Sequence, residues 1–359
     1  MEVCFLTSGE TLTVLDDDLQ GKTGKAVKKA LAAKVGISRF QQRLFVEDGS
    51  HEIQDDEIAD PAPLKIQLVV LEFWPTDDEE TQKMITASRD NNLVALEQLL
   101  QQPRNPNEAS TDGKTPFHYA AGQGHVQLMG LLLEAGAKID ETEFARGWTP
   151  LFTAAGNGHL NTVRFLVESG AAKDPADNGG ATPLFLAAYN GYLDIVQFLI
   201  KVGAAKDQAD DNGKTPLFLA AQKGHLDIVQ FLVEVGAAKD QAANNGATPL
   251  FIAADKGHLD IVQFLVEVGA DKDQASNTGA TPLFIAACKA HLDIVQFLVE
   301  VGAAKDQADN DGATPLFLAA QNGHLDIVQF LVEVGAAKDP ATDTFAMPLL
   351  LATGSGMGI

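Results

Sequence analysis

The sequence predicts a small α+β domain followed by an all-α repeat solenoid, and three observations predict it. Thr-Pro dipeptides begin at Thr115, Thr149, Thr182, Thr215, Thr248, Thr281 and Thr314, spaced by 34 and then by 33 residues, and Met347-Pro348 keeps the register. Between them, two short apolar patterns of helical spacing alternate with Gly and Asn-Gly turn signals. The stretch before about residue 75 lacks this period and reads as β-β-α-β-β.

Each part of a repeat has a physical reason, as the unit from Thr215 to Ala247 illustrates. The Thr215 side chain is placed to cap a helix, and Pro216 suits the first helical position, where the N–H is unpaired anyway. Leu217, Phe218, Ala220 and Ala221 give a short helix whose alanines permit close packing, and Gly224 ends it as a left-handed residue. Leu226, Val229, Phe231, Leu232, Val233 and Val235 predict a second helix, apolar on nearly all sides and therefore buried between units. Asp227 falls in its first turn, where the helix dipole favours negative charge. Gly236 ends that helix, and Asn245-Gly246 supplies a tight turn. One such unit cannot bury its apolar faces alone, so stability is expected to come from stacking. Ala290 replaces the glycine found at 224, 257 and 323, at a cost of about 1 kcal/mol if the position needs φ > 0.

The period, the TPLF-x-A-A start and the GHLDIVQFL second helix resemble the ankyrin repeat. Two departures recur: Phe185, Phe218, Phe251, Phe284 and Phe317 stand where that family often has His, and Ala-Lys-Asp-Gln stands where it often has Ala-Asp-Val-Asn. The resemblance implies a protein-binding scaffold. It also implies a division into an N-terminal domain at 1–73, an acidic linker at 74–80, an N-terminal capping unit at 81–109, seven repeats at 110–343 and an incomplete last repeat at 344–359. Without a second helix after Pro348, the helix at 325–334 is expected to fray.

In the N-terminal domain, Val3 and Phe5, then Leu12 and Val14, suggest two strands joined at Ser8-Gly9. Lys25 to Val35 reads as a helix with Val27, Leu31 and Val35 on one face, and 44–46 and 66–71 read as further strands, with a turn at Asp48-Gly49. This order and the stretch from Val35 to Val46 resemble ubiquitin, which implies a β-grasp fold. By that resemblance Phe45 and Val69 fall in the apolar patch that ubiquitin's receptors grip, so the domain is expected to dock to ubiquitin-proteasome machinery. With no diglycine after Phe73-Trp74-Pro75, conjugation is not expected.

Composition and motifs narrow the chemistry. A net charge of −23 repels phosphate backbones and anionic surfaces, which argues against nucleic-acid and membrane partners. Cys4 and Cys288 form neither a disulfide framework nor a metal spacing, and the N-terminus lacks the pattern of a signal peptide, so a cytoplasmic or nuclear protein is expected. His125, His159, His225, His258, His291 and His324 recur one repeat apart, about a helix diameter, which is too far to share a metal ion. They are expected to hydrogen-bond near the turn between helices. Gly21-Lys22-Thr23-Gly24-Lys25 lacks the first glycine of a phosphate loop. Carboxylates such as Asp194, Asp227, Asp260, Asp293 and Asp326 recur with the repeat, whereas a catalytic pair needs a unique environment. No enzyme, cofactor or metal site is expected, and a monomer is.

Because the repeats are nearly identical, their differences point to a partner surface. One group lies at the end of the first helix: Tyr189, Asn190, Gln222, Lys223, Asp255, Lys256, Lys289, Gln321 and Asn322. The other lies at the turn: Asp210, Asp211, Ala243, Asn244, Ser276, Asn277, Asp309 and Asn310. By resemblance to ankyrin proteins, these positions form the concave surface on which a partner protein sits. The chain therefore reads as a non-enzymatic adaptor; a plain interaction scaffold is the other reading.

Overall fold

The computed structural model describes residues 2–5, 11–13, 23–35, 37–46, 52–55, 65–71, 73 and 78–337. The turns expected at Ser8-Gly9 and Asp48-Gly49, most of the linker and the incomplete unit at 344–359 lie outside the described residues. The chain divides into two compact units, Met1–Ala172 and Lys173–Ile359.

The first unit opens with strands β1 (Glu2–Phe5) and β2 (Thr11–Thr13), helix α1 (Gly24–Val35), and strands β3 (Gln42–Val46) and β4 (Lys65–Val70). The sheet order is β2-β1-β4-β3, with β1 antiparallel to β2, parallel to β4, and β3 antiparallel to β4. Leu44 stands opposite Leu68 and Arg43 opposite Val69. Side chains alternate across a strand, so Leu44 and Leu68 share one face while Arg43, Phe45 and Val69 share the other. Leu44 and Leu68 are buried with Val27 and Leu31 of α1, Phe40 and Ile53, which is the core of this segment.

Three helix pairs complete the first unit: α2 (Asp78–Arg89) with α3 (Leu93–Leu100), α4 (Pro116–Gln123) with α5 (Val126–Glu134), and α6 (Pro150–Gly156) with α7 (Leu160–Glu168). Helix α2 starts at Asp78, three residues before the boundary read from the sequence. The acidic run that reads as linker and helix start supplies that first turn with Asp78, Glu79 and Glu80, as the helix dipole favours. Among the described residues the second unit holds five pairs: α8 (Pro183–Asn190) with α9 (Leu193–Lys201), α10 (Pro216–Lys223) with α11 (Leu226–Glu234), α12 (Pro249–Lys256) with α13 (Leu259–Glu267), α14 (Pro282–Cys288) with α15 (Leu292–Glu300), and α16 (Pro315–Gln321) with α17 (Leu325–Glu333). Within it, the first helices pack side by side in one row and the second helices in another.

The local signals act as their chemistry suggests. Each Thr before Pro caps its helix, as when Thr215 Oγ1 accepts from the Phe218 N–H at 3.2 Å. Asp227 Oδ1 accepts the Ile228 N–H at 2.8 Å. The second helix, however, is not apolar all round. Ile228, Val229 and Leu232 are buried, Phe231 and Val233 are half-buried, and Val235 lies in the open with its counterparts Val268, Val301 and Val334. Helix α11 packs against α10, α9 and α13, and the face turned away from these meets solvent. Leu325 of the last described helix is 54 % exposed, where its counterparts Leu226, Leu259 and Leu292 are half-buried.

Three ladders of hydrogen bonds join successive pairs. Each recurrent histidine reaches back to a carbonyl of the preceding first helix: His225 Nε2 to Tyr189 at 3.2 Å, His258 to Gln222 at 3.3 Å, His291 to Asp255 at 3.2 Å, and His324 to Cys288 at 3.1 Å. The carbonyl accepts, so Nε2 carries the proton. The aspartate of Ala-Lys-Asp-Gln caps the next unit's backbone: Asp207 accepts from the Ala238 N–H at 2.9 Å and Asp240 from the Asp271 N–H at 3.0 Å. Turn tips pair through backbone: the Asn244 N–H to the Asn212 carbonyl and the Asn277 N–H to the Asn245 carbonyl, both at 2.9 Å.

The position after the first helix requires the left-handed conformation. Gly224 and Gly257 have φ of 82° and 78°, and Ala290 is held there at 64°. Ala290→Gly is therefore expected to raise stability by about 1 kcal/mol. Gly257→Ala is expected to lower it by more, because its added Cβ would lie 2.7 Å from the His291 ring. Urea unfolding of the full chain measures both, and an unchanged midpoint in Ala290→Gly would contradict the strain.

Candidate protein-binding surface

The recurrent histidine, aspartate and threonine groups are engaged within the fold. What remains for a partner are the side chains that vary. In the second unit the first-helix ends are open to solvent: Tyr189, Asn190, Lys223, Lys256, Lys289, Gln321 and Asn322 are exposed, while Gln222 and Asp255 are half-buried. The Lys223 ammonium sits 4.2 Å above the Tyr189 ring, and Lys256 pairs with Asp255 at 2.9 Å. Asn322 Nδ2 reaches back to the Cys288 carbonyl at 3.2 Å. Lys223, Lys256 and Lys289 occupy one register position on three successive first helices, a basic column in an acidic chain.

The turn group divides differently. Asp211, Asn244, Asn277 and Asn310 are exposed, but the Asn244, Asn277 and Asn310 amides donate to the carbonyls of Asp211, Asn244 and Asn277 at 2.8, 2.8 and 2.9 Å. They link tip to tip. Asp210 and Asp309 accept backbone N–H groups of their own turns, and Ser276 Oγ lies 2.9 Å from Thr278 Oγ1. Ala243 is buried at 6 % exposure, because its N–H and carbonyl close the turn onto Ala247 and Gly246, so it offers no contact surface. The structure thus brings the helix ends into one row and the tips into another, and gives much of the tip row a structural task that sequence variation did not reveal.

Phe45 and Val69 are diagonal neighbours on the sheet face opposite the core, and both are half-buried. Arg43 on that face pairs with Glu52 at 3.1 Å and donates to the Gln101 carbonyl at 2.9 Å.

The turn from Glu143 to Trp148 is a feature that sequence reasoning passed over. Glu143 is buried and accepts the Ala145 and Arg146 N–H groups at 3.1 and 2.6 Å. Phe144 stands 74 % exposed at the tip, and the Arg146 guanidinium lies 4.8 Å from the Trp148 ring. Phe144 and Arg146 are exposed and Trp148 is half-buried, and Phe, Arg and Trp are residue types enriched in protein interfaces. The signal was present: this turn is the one where the repeated Asp-Asn pattern gives way to aromatics.

Among the described residues, no group of three or more His, Cys, Asp or Glu could hold a metal ion, and no helix is long and apolar enough to cross a membrane. His118 is buried against the Glu143–Trp148 turn. Its Nε2 donates to the Trp148 carbonyl at 3.1 Å, and its Nδ1 accepts from the Thr115 hydroxyl and N–H at 2.9 and 3.2 Å. Burial pushes its pKa below the usual histidine value. The folded state holds His118 neutral while the unfolded chain takes up the proton near pH 6.5, so stability is full above that pH and falls as pH drops below it. His118→Phe, the residue used at Phe218, is expected to flatten the fall in melting temperature of the full chain between pH 7.5 and 5. Parallel profiles for the two proteins would contradict this.

A search of curated proteins finds no match to the chain. The family model described as Ankyrin repeats (3 copies) matches it at residues 83–177, 135–210, 184–276 and 268–342. With that match spanning well over half of the sequence, on helix pairs capped by Thr-Pro and joined by repeated turns, the chain belongs to the ankyrin-repeat family.

Proposed function

We propose that this chain is a non-enzymatic adaptor, in which the ankyrin repeats hold a target protein and the N-terminal α+β segment docks, as a fused ubiquitin-like module, to ubiquitin-proteasome machinery. One observation carries the first half. The recurrent polar groups His258 and His291 are used within the stack, while the first-helix ends carry exposed side chains in a row, Tyr189, Lys223, Lys256 and Lys289 foremost. An ankyrin stack is a rigid scaffold with replaceable surface residues, which suits binding and gives no unique environment for catalysis. The lysine column favours a target with an acidic face.

The second half draws support from the sheet. A parallel β1–β4 pair at its centre, flanked by β2 and β3, suits a β-grasp reading, and the register sets Phe45 and Val69 together on one face. The plain-scaffold reading is favoured by one contact: Arg43 on that face is already held at the Gln101 carbonyl.

Affinity capture with the full chain, with Lys223→Glu/Lys256→Glu/Lys289→Glu and with Phe45→Ala tests both halves. The adaptor reading expects the target to be lost with the triple variant and kept with Phe45→Ala, and ubiquitin-pathway proteins to behave in the opposite way. The purified target should bind the triple variant at least tenfold more weakly. The same proteins on all three baits would refute the assigned surfaces, and loss in the triple variant alone would leave the scaffold reading.

A further inference from the structure

We propose that the basic side of α1 and the turn after it form a latch in cis: a charge-held interface that clamps the N-terminal α+β segment onto the first two helix pairs and opens when its charges are screened or removed. Arg39 stands at the centre, 2 % exposed. Its Nε donates to Glu134 at 2.8 Å, one terminal nitrogen to Glu97 at 3.2 Å, and the other to Asp55 at 3.4 Å. Glu97 belongs to α3 and Glu134 ends α5, so one guanidinium joins both helix pairs to the segment's own Asp55. Lys25 and Lys29, one turn apart on α1, meet the same two glutamates, Lys25 to Glu97 and Lys29 to Glu134, each at 2.5 Å. Ser38 Oγ adds a bond to the Glu134 carbonyl at 2.8 Å.

The chemistry makes this a two-position device. A guanidinium this deeply buried is tolerable only while its carboxylates are present, because removing a partner leaves a buried charge uncompensated. Arg39 is therefore either docked against Glu97 and Glu134 or undocked in water. The lysine pairs at the rim are reached by solvent, with Lys25 and Lys29 side chains 40 and 46 % exposed, so salt weakens them. The Lys25 hydrogen bond, with Arg39 beside it, holds the Glu97 carboxyl below its ordinary range. Burial pushes the Glu134 carboxyl up, but Lys29 and Arg39 outweigh it and hold it low. Undocking also takes Arg43 off the Gln101 carbonyl, so the face carrying Phe45 and Val69 loses a neighbour. The latch stands on these contacts alone and does not depend on the ubiquitin-like reading.

Zero-length cross-linking of the full chain with a carbodiimide tests it, since the reagent joins an ammonium to a carboxylate only where the two touch. At low salt the Lys25–Glu97 and Lys29–Glu134 links are expected by peptide mass spectrometry, together with the Lys28–Asp55 link inside the segment, where those groups lie 2.7 Å apart. In 1 M NaCl, and in Arg39→Ala, the first two links should fall at least fivefold while Lys28–Asp55 persists. If Arg39→Ala also loses Lys28–Asp55, that variant has unfolded the segment and the salt series on the unaltered chain decides. Absence of the two links at low salt, or their persistence at 1 M salt, would overturn the latch.

Discussion

No helix pair in this chain can bury its own apolar surface, and the rest of the structure follows from that constraint. A first helix such as Pro216–Lys223 is eight residues long, too short to be stable alone in water. It persists because its neighbours in the row cover Leu217, Phe218 and Ala221 and because each pair takes hydrogen bonds from the next. The His258 and Asp240 contacts are therefore not decoration on a finished fold. They satisfy a helix-end carbonyl and a loop N–H that would otherwise lack partners within the stack.

That constraint separates structure from function. Groups that shape a unit or meet its neighbour recur in type: Thr capping its own first helix, Gly in the left-handed position, His after it except at Tyr192, and Asp in the outgoing loop. Positions outside these contacts can change without disturbing the stack, which is why the binding surface is sought at Tyr189, Lys223 and Lys289. Ala290 marks the tolerance of the scheme, since an Ala occupies the left-handed site at φ of 64°. At the other end of the chain, Arg39 solves a different problem, joining a segment with its own small core to the first helix pairs through charge.

Much of the fold was legible because its signals are local. The Thr-Pro caps, the glycine stops and the Asn245-Gly246 turn act over four residues, and the 33-residue period places them. The strands around Val3, Leu44 and Ile66 and the helix from Lys25 were legible from alternation and helical spacing. What could not be read was whatever depends on residues far apart in sequence. Asp240 meets the N–H of Asp271, and Arg39 meets Glu134; neither pairing leaves a trace in the local capping and turn signals. The second helix reads as buried between units because it is apolar on nearly all sides, whereas the structure leaves Val235 and Val268 in the open. Of the candidate surface, variation picks out Lys223 and Tyr189, which stand exposed, but also Ala243, which is buried, and Asn244, whose amide ties tip to tip.

The most direct test of the stacking account is hydrogen exchange on His291→Ala in the full chain. The ring of His291 reaches the Asp255 carbonyl at 3.2 Å, so the substitution removes a contact between two units without touching either apolar core. The account predicts faster exchange in both Pro249–Lys256 and Leu292–Glu300, with a smaller change at Pro183–Asn190. Faster exchange confined to Leu292–Glu300, with Pro249–Lys256 unaltered, would contradict it.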